Sequence, residues 1–510
     1  MARYSRWTAA AATLLLVLTF SASEYSKPED PVPLPDLSKP LSLSPEELQK
    51  PPNIIVLLSE AFWDPTQLPG LTFSRDPIPF FHSLQRSFTH GTMLSPMFGG
   101  GTANVELEVL TGLSYRFFPD NSIVYEQFIK QPTPSLATIL SAQGYTATAI
   151  TPFHHWYFTS SDVYRHLGFS RYISLEYFDP DEYVGPYMGD AAVGRRIIEE
   201  SQRSPGADFI FANTMENHFH YYPGKFKRNT IDIKGRTGIS AGTIGLAETL
   251  AQGMSGADRM LQQLVTHYSM VREPTIIVFF GDHLPSLEKY DAYVDTGYIS
   301  GTDDPDFLEK MHTVPLAIWN NYLPREQKDE LHISPSFLSP YVLKMANREG
   351  SEFTDYLSRL SAKLPILPPE AQYAKYGVDP ELARDYARVQ AEQLATARQL
   401  APQRSESPFE LGYGPPRLER VTTGSPSALQ GGQSPLQLTL EGGRYGLGCT
   451  VYIDGQAVPT TWRSETLLQA LVPKELIGGT GTLHVQIKVV DSQEKVIGVS
   501  ESVGVQVQRR

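Results

Sequence analysis

Short apolar runs that end in hard polar residues recur along this chain. Asn53-Ile-Ile-Val-Leu-Leu-Ser59 runs into Glu60, and Thr275-Ile-Ile-Val-Phe-Phe-Gly281 runs into Asp282-His283. Tyr145-Thr-Ala-Thr-Ala-Ile-Thr151 leads to His154 and His155, and Asp208-Phe-Ile-Phe-Ala-Asn213 leads to Asn217-His218. Continuous apolar residues, rather than alternating ones, mark parallel strands buried on both faces, and an open α/β sheet gathers its ligands outside the carboxyl ends of such strands. The pattern predicts an α/β domain in which Glu60, Asp282 and His283 meet at one rim, with the two His-bearing loops beside them. Unrelated loop ends, polar because they are exposed, are the alternative.

Between the first two runs lies Gly99-Gly-Gly-Thr-Ala-Asn-Val-Glu-Leu-Glu-Val-Leu-Thr-Gly112. The glycines permit close backbone approach, and Val105, Val109 and Leu110 at helical spacing predict a helix that starts near Thr102. A helix amino terminus favours anions through its free amides and its dipole, so Thr102 is a candidate nucleophile. A plain N-cap is the other role for the same residue. Three positions on stands Val105, not Glu or Gln, so the reciprocal capping box is missing.

Ser59-Glu60, Gly100-Gly-Thr-Ala-Asn-Val-Glu106, Met215-Glu-Asn-His218, Phe280-Gly-Asp-His-Leu-Pro-Ser286 and Val314-Pro-Leu-Ala-Ile-Trp319 occur in the order found in a known family. Over roughly residues 50 to 370 the chain resembles the lipoteichoic acid synthase branch of the alkaline phosphatase and sulfatase superfamily, the phosphoglycerol transferases. The resemblance implies a sulfatase-like sheet flanked by helices. It implies one divalent metal held by Glu60, Thr102, Asp282 and His283, with Thr102 as nucleophile. Manganese is the family's usual ion; magnesium or zinc suits the same carboxylate and imidazole ligands. His218, with Asn217, matches a substrate-binding position, and His154 or His155 falls where relatives place another. One departure matters. Where the family carries an Arg that grips glycerol phosphate, this chain reads Tyr157-Phe-Thr-Ser-Ser-Asp-Val-Tyr164, and a serine cannot supply a bidentate charged clamp. Phe158 or Trp156 stands in for the family's aromatic.

The residue types suit phosphoryl transfer. A divalent cation stabilises an alkoxide and offsets charge on phosphoryl oxygens, which leads to a phospho-Thr102 intermediate formed by in-line displacement. The expected activity is transfer of a phosphoglycerol-type head group of an envelope lipid or glycan. A metal-dependent phosphodiester or monoester hydrolase is the first alternative, since it differs only in the acceptor, and a non-catalytic envelope-binding protein is the second. A formylglycine sulfatase is not the expected activity, because Cys449 is the one cysteine and lies far outside the domain, and Ser95-Pro-Met lacks the required pattern. Asp64 and His220 could contribute to a second metal, but neither has a recognised spacing.

The 510 residues allow several domains. Met1 to Ser23, with Arg3 and Arg6 ahead of an apolar stretch, reads as a signal peptide or amino-terminal anchor and places the catalytic unit outside the cytoplasm, secreted or tethered at the membrane. Residues 24–50 read as a Pro/Ser-rich tether, 51–370 as the catalytic domain and 371–415 as a helical linker, with Asp379 capping a helix that opens at Pro380. Residues 416–510 alternate in short runs, with Asp454-Gly455 as a hairpin signal. They predict a β-sandwich that resembles the immunoglobulin-like IPT/TIG class, with binding of an envelope glycan or protein, or simple spacing, as its expected role. The 43 basic and 56 acidic residues give a net charge of −13, which excludes nucleic acid as a partner. An anionic lipid or glycan head group must therefore be drawn by the local metal.

Overall fold

The computed structural model describes residues 37, 40–400, 408–423, 436–477 and 481–507. The expected signal or anchor segment and most of the tether lie outside them. A nine-stranded sheet organises the catalytic region. In chain order its strands are β1 (Asn53–Ser59), β2 (Thr89–Leu94), β3 (Thr146–Ile150), β4 (Arg171–Ile173), β5 (Asp208–Asn213), β6 (Thr275–Gly281), β7 (Thr313–Asn320), β8 (Glu330–Ile333) and β9 (Glu410–Leu411). Across the sheet they run β8-β2-β7-β6-β1-β5-β3-β4-β9. β6, β1, β5, β3 and β4 are parallel neighbours, and β7 is antiparallel to both β6 and β2.

β1, β5 and β6 are buried at every residue, which requires cover on both faces of the sheet. Ile54, Ile55, Val56, Leu57 and Leu58 are all at most 1% exposed. Each such side chain contributes roughly 1.5–3 kcal/mol of transfer free energy, so the centre of the sheet is a well-anchored place on which to mount a site. α1 (Thr102–Thr111) follows the glycine run, and α2 (Ala241–Tyr268) spans 28 residues. Gly253 and Gly256 let α2 approach the loop after β5: a Cβ on Gly253 would lie 1.8 Å from Asn217 Oδ1, and one on Gly256 would lie 2.4 Å from Glu216 Oε1.

Two segments differ from the sequence expectation. Within the expected tether, Pro45–Gln49 forms a short helix closed by a capping box between Ser44 and Glu47, and Glu47 pairs with Arg272. That Ser-Pro-Glu-Glu signal docks residues 41–50 on the domain. Within the expected linker, α3 (Pro380–Leu400) begins as read, with Asp379 Oδ1 accepting from the Glu381 amide at 2.9 Å. It is not a spacer. Ala383, Tyr386, Gln390 and Ala397 form a narrow buried stripe at helical spacing. Gln390 exchanges hydrogen bonds with the Ser114 backbone at 2.7 and 3.1 Å, and Tyr386 donates to the Gly112 carbonyl at 2.5 Å. The chain then supplies β9 to the edge of the central sheet.

The carboxy-terminal region forms two antiparallel sheets. One orders β10 (Arg417–Thr423), β11 (Leu436–Gly443), β15 (Leu467–Val472) and β14 (Thr460–Ser464). The other orders β13 (Gln456–Ala457), β12 (Cys449–Ile453), β16 (Gly481–Val490) and β17 (Val496–Val499), with β18 (Val503–Val507) also on β16. Asp454 and Gly455, both at positive φ, make the two-residue turn between β12 and β13.

Replacing Tyr386 by Ala is expected to cost about 3–5 kcal/mol, as large buried aromatic truncations do. Tyr386→Phe is expected to cost about 1 kcal/mol, the value of its one hydrogen bond. Urea unfolding of the two variants measures both; equal, small losses would mean that α3 is a loosely attached spacer.

Candidate metal centre and active site

Strand register sets the site. β1 pairs with β6 so that Ser59 lies opposite Gly281, which puts the next residues, Glu60 and Asp282, side by side at the carboxyl rim. The backbone after Glu60 crosses directly over the end of β6. A Cβ on Gly281 would lie 2.1 Å from the Phe62 carbonyl oxygen, so this crossing requires glycine. The crossing delivers the Ala61 amide to Asp282 Oδ1 at 2.8 Å, with Ala61 held at φ +49°. Ser95 donates to the Asp282 carbonyl at 2.5 Å, and the Glu60 amide donates to Thr214 Oγ1 at 3.2 Å. Asp282 and Glu60 are therefore fixed by backbone before any ligand arrives.

Gly99, Gly100 and Gly101 all have positive φ, and Gly101 is the N-cap of α1. A Cβ there would meet the Met97 side chain at 2.1 Å. Because Gly101 takes the cap position, Thr102 is the first helical residue and makes no capping bond. Its hydroxyl instead donates to Asp282 Oδ2 at 2.8 Å and lies 3.5 Å from Glu60 Oε2.

His283 completes the group. Its Nδ1 lies 3.0 Å from the Leu284 carbonyl, the geometry of an Nδ1–H donor, which assigns the lone pair to Nε2. Nε2 is buried, has no hydrogen-bond partner, and stands 3.2 Å from Asp282 Oδ2 and 3.8 Å from Glu60 Oε1. Two carboxylates and an imidazole lone pair thus converge with all ligand atoms within 4.8 Å of one another. Burial, and after it the charge of Asp282, pushes the Glu60 carboxyl well above the usual carboxylate range. Such a group repels itself in low dielectric and fits a divalent cation. Among the described residues it is the one cluster of this kind. Asp64 is engaged by His82 and Thr66, and His220 is exposed, so neither joins it.

Glu60 and Thr102 open into a cleft lined also by Glu106, Phe153, His154, Tyr157, Phe158, Asn213 and His218. His154 and His218 therefore share the cleft with the cluster. Asn217 does not line it; its side chain is buried against Gly253 of α2. His155 faces away and pairs with Asp491 of the carboxy-terminal region at 2.9 Å. Of the two residues expected to stand in for the family's aromatic, Phe158 lines the cleft, with Phe153 and Tyr157, whereas Trp156 lies outside it. Burial lowers the pKa of His218, keeping the ring neutral, and its Nδ1 lies 3.1 Å from both the Tyr187 hydroxyl and the Phe219 carbonyl.

Two features escaped the sequence reading. Lys225, 3% exposed, donates to the His218 carbonyl at 2.6 Å; burial lowers its pKa to about 8, while Glu60, Glu216 and Asp190 favour its charge. Its aromatic neighbours Tyr221, Tyr222 and Phe226 were the one signal available. Glu106 accepts hydrogen bonds from Tyr125 at 3.0 Å, Tyr164 at 2.7 Å and Asn213 at 2.7 Å. Burial pushes its carboxyl up to about 7 against those three donors.

The Sulfatase family model matches residues 52–348. The chain belongs to the sulfatase family. This sulfatase-family chain is 35% identical over 358 residues to a putative cyclic beta-1,2-glucan modification protein of Rhizobium meliloti, covering 67% of this chain and 55% of that protein. It is 28% identical over 315 residues to the capsular polysaccharide biosynthesis protein RkpI of the same organism, covering 59% and 51%. The chain spans about half the length of these curated relatives. The fold is shared with the phosphoglycerol transferase GacH of Streptococcus pyogenes, solved with sn-glycerol-1-phosphate, at a TM-score of 0.55 and 24% identity, covering 69% of this chain and 94% of that one. No helix among the described residues is long and apolar enough to cross a membrane.

Manganese at a hundredfold excess over its Kd is expected to stabilise the folded protein by about 3 kcal/mol. Thermal unfolding should show the rise in Tm in the wild type and not in His283→Ala. The Glu106 shift has a definite sign. Between pH 4.5 and about 7 the folded chain holds a proton that the unfolded chain has released. Stability therefore falls across that window and levels above it. In metal-free protein, urea titrations from pH 5 to 8 should show Glu106→Gln gaining on the wild type up to about pH 7; a constant difference would mean that the carboxyl titrates normally.

Proposed function

We propose that the chain is an extracytoplasmic, metal-dependent transferase that moves a phosphoglycerol-type head group from an envelope lipid to a glycan hydroxyl through phospho-Thr102. The observation that carries this reading is the Thr102 hydroxyl, hydrogen-bonded to Asp282 and set beside Glu60 and the His283 lone pair at the mouth of the cleft. Glu60, Asp282, His283 and Thr102 would hold the ion, which supplies charge stabilisation to the Thr102 oxygen and to the phosphoryl group.

In the first half-reaction Thr102 Oγ attacks phosphorus, the bond from phosphorus to the lipid oxygen breaks, and the proton lost by the Thr102 hydroxyl is balanced by the one gained by the departing lipid alcohol. In the second, an acceptor hydroxyl attacks the same phosphorus, the Thr102–phosphorus bond breaks, and the acceptor's proton is balanced by the one that restores the Thr102 hydroxyl. A neutral His218 whose Nδ1 donates to the Phe219 carbonyl presents Nε2 as an acceptor, suited to a hydroxyl of the head group or the acceptor. The cleft carries no Arg or Lys among its lining residues, so the family's guanidinium clamp has no counterpart there. Lys225 behind His218, together with the ion, supplies the positive charge in this reading. The name of the glucan modification relative favours a glycan as acceptor, and GacH favours glycerol phosphate as the group moved.

Intact mass of the full chain after incubation with manganese and phosphatidylglycerol should show a phosphoglycerol-sized gain that is absent in Thr102→Ala. Free glycerol phosphate released by the wild type, with no adduct and no dependence on an added glycan, would make the protein a hydrolase. Turnover retained at more than a tenth of wild type in Thr102→Ala would exclude the phospho-threonine route.

A further inference from the structure

We infer that the carboxy-terminal β-module is a working part of the active site, because its turn between β16 and β17 positions the cleft residue His154. The inference rests on the reading of the cleft as the head-group site.

The turn is built around Asp491. Its Oδ1 accepts from the Gln493 and Lys495 amides, both at 2.9 Å, and Glu494 sits at φ +63°. This leaves Oδ2 to reach across to the catalytic region, where His155 Nε2 donates at 2.9 Å. The contact is sealed from solvent, with side-chain exposure of 7% for His155 and 0% for Asp491. Ser492 then meets the two flanking residues. Trp156 Nε1 donates to Ser492 Oγ at 3.2 Å, and Ser492 Oγ lies 3.2 Å from His154 Nδ1. The Trp156 and His154 rings stack at 5.2 Å and 10°. Two consecutive module residues thus hold three consecutive residues of the loop after β3.

That loop needs holding. Phe158 and Thr159 both occupy left-handed backbone, at φ +50° and +54°, which non-glycine residues keep only where their surroundings over-determine them. Phe153, His154, Tyr157, Phe158 and Ser160 of the same segment line the cleft. A second anchor lies behind His154. Glu176 Oε1 stands 3.8 Å from its Nδ1, and the Glu176 carbonyl accepts from the module's Gly448 amide at 2.9 Å. With Nδ1 directed to Ser492 and Glu176, Nε2 is the nitrogen left to meet the head group. Fixing a ring in advance removes ordering cost from the bound state, so releasing it weakens binding of the head group.

The test uses full-length Ser492→Ala, Asp491→Asn and Ser492→Thr, each alone and with His154→Ala, assayed for head-group release from phosphatidylglycerol. Ser492→Ala and Asp491→Asn should raise KM about tenfold with a smaller change in kcat, and Ser492→Thr should restore it. In the His154→Ala background Ser492→Ala should change KM by less than about twofold, because its effect passes through His154. Equal effects in both backgrounds, or an unchanged KM in the single variants, would overturn the inference. Should the wild type fail to turn over this donor, the functional reading fails separately. Hydrogen exchange over residues 153–160 then decides the positioning: faster exchange in Ser492→Ala and Asp491→Asn, with residues 102–111 unaltered, supports it, and unaltered exchange refutes it.

Discussion

Two carboxylates forced side by side by strand register are the constraint on which the rest of this molecule depends. Pairing Ser59 with Gly281 leaves Glu60 and Asp282 no choice of neighbour, and both are buried. Like charges in a low-dielectric rim are tolerable only with a proton or a cation between them. The surroundings are arranged for the cation. The His283 lone pair is left without a hydrogen-bond partner, the Thr102 hydroxyl donates to Asp282 beside it, and the Ala61 amide steadies Asp282 from outside the cluster. Gly281 is the point where backbone passes too close for any other residue, and Gly101 the point where a positive φ of +87° at the helix cap favours glycine. The stiffness needed to hold this repulsive group comes from the fully buried strands β1, β5 and β6 beneath it.

Much of this was legible because parallel strands buried on both faces leave an unbroken apolar signature and end where polarity begins. Asp208–Asn213 and Asn53–Ser59 coincide with the runs read from sequence, and so the rim carrying Glu60, Asp282 and His283 could be anticipated. Whether Thr102 caps its helix could not, since that depends on Gly101 adopting φ +87° and taking the cap. Neighbouring histidines were equally opaque. His154 and His155 read alike, yet one lines the cleft and the other is buried against Asp491, a partner more than three hundred residues away in the chain. α3 reads as polar and Ala-rich because its buried stripe is one residue wide, and Gln390 in that stripe is satisfied by backbone that no local pattern reveals. Glu106 and Lys225 are long-range assemblies of the same kind.

The carboxy-terminal module looks self-contained in sequence, with its own alternating strands and its own core. Its contacts with the catalytic region say otherwise. Leu447 and Gly448 amides bond to the Phe178 and Glu176 carbonyls, Arg196 reaches Glu465 at 3.1 Å, and the Asp491 turn enters beside the cleft. Backbone hydrogen bonds and a buried pair such as His155–Asp491 fix orientation more than they add affinity. A loop that carries cleft residues thereby contacts both the central sheet and the carboxy-terminal module.

What sits between Glu60 and Asp282 decides whether Thr102 is a metal-supported nucleophile. Anomalous diffraction at the manganese edge, from crystals of the wild-type protein grown with the ion, locates it directly. A single peak contacted by Glu60, Thr102, Asp282 and His283 is the predicted result. A cluster without a peak at saturating manganese, or a peak that Thr102 does not touch, would contradict the assignment of Thr102 as the metal-supported nucleophile.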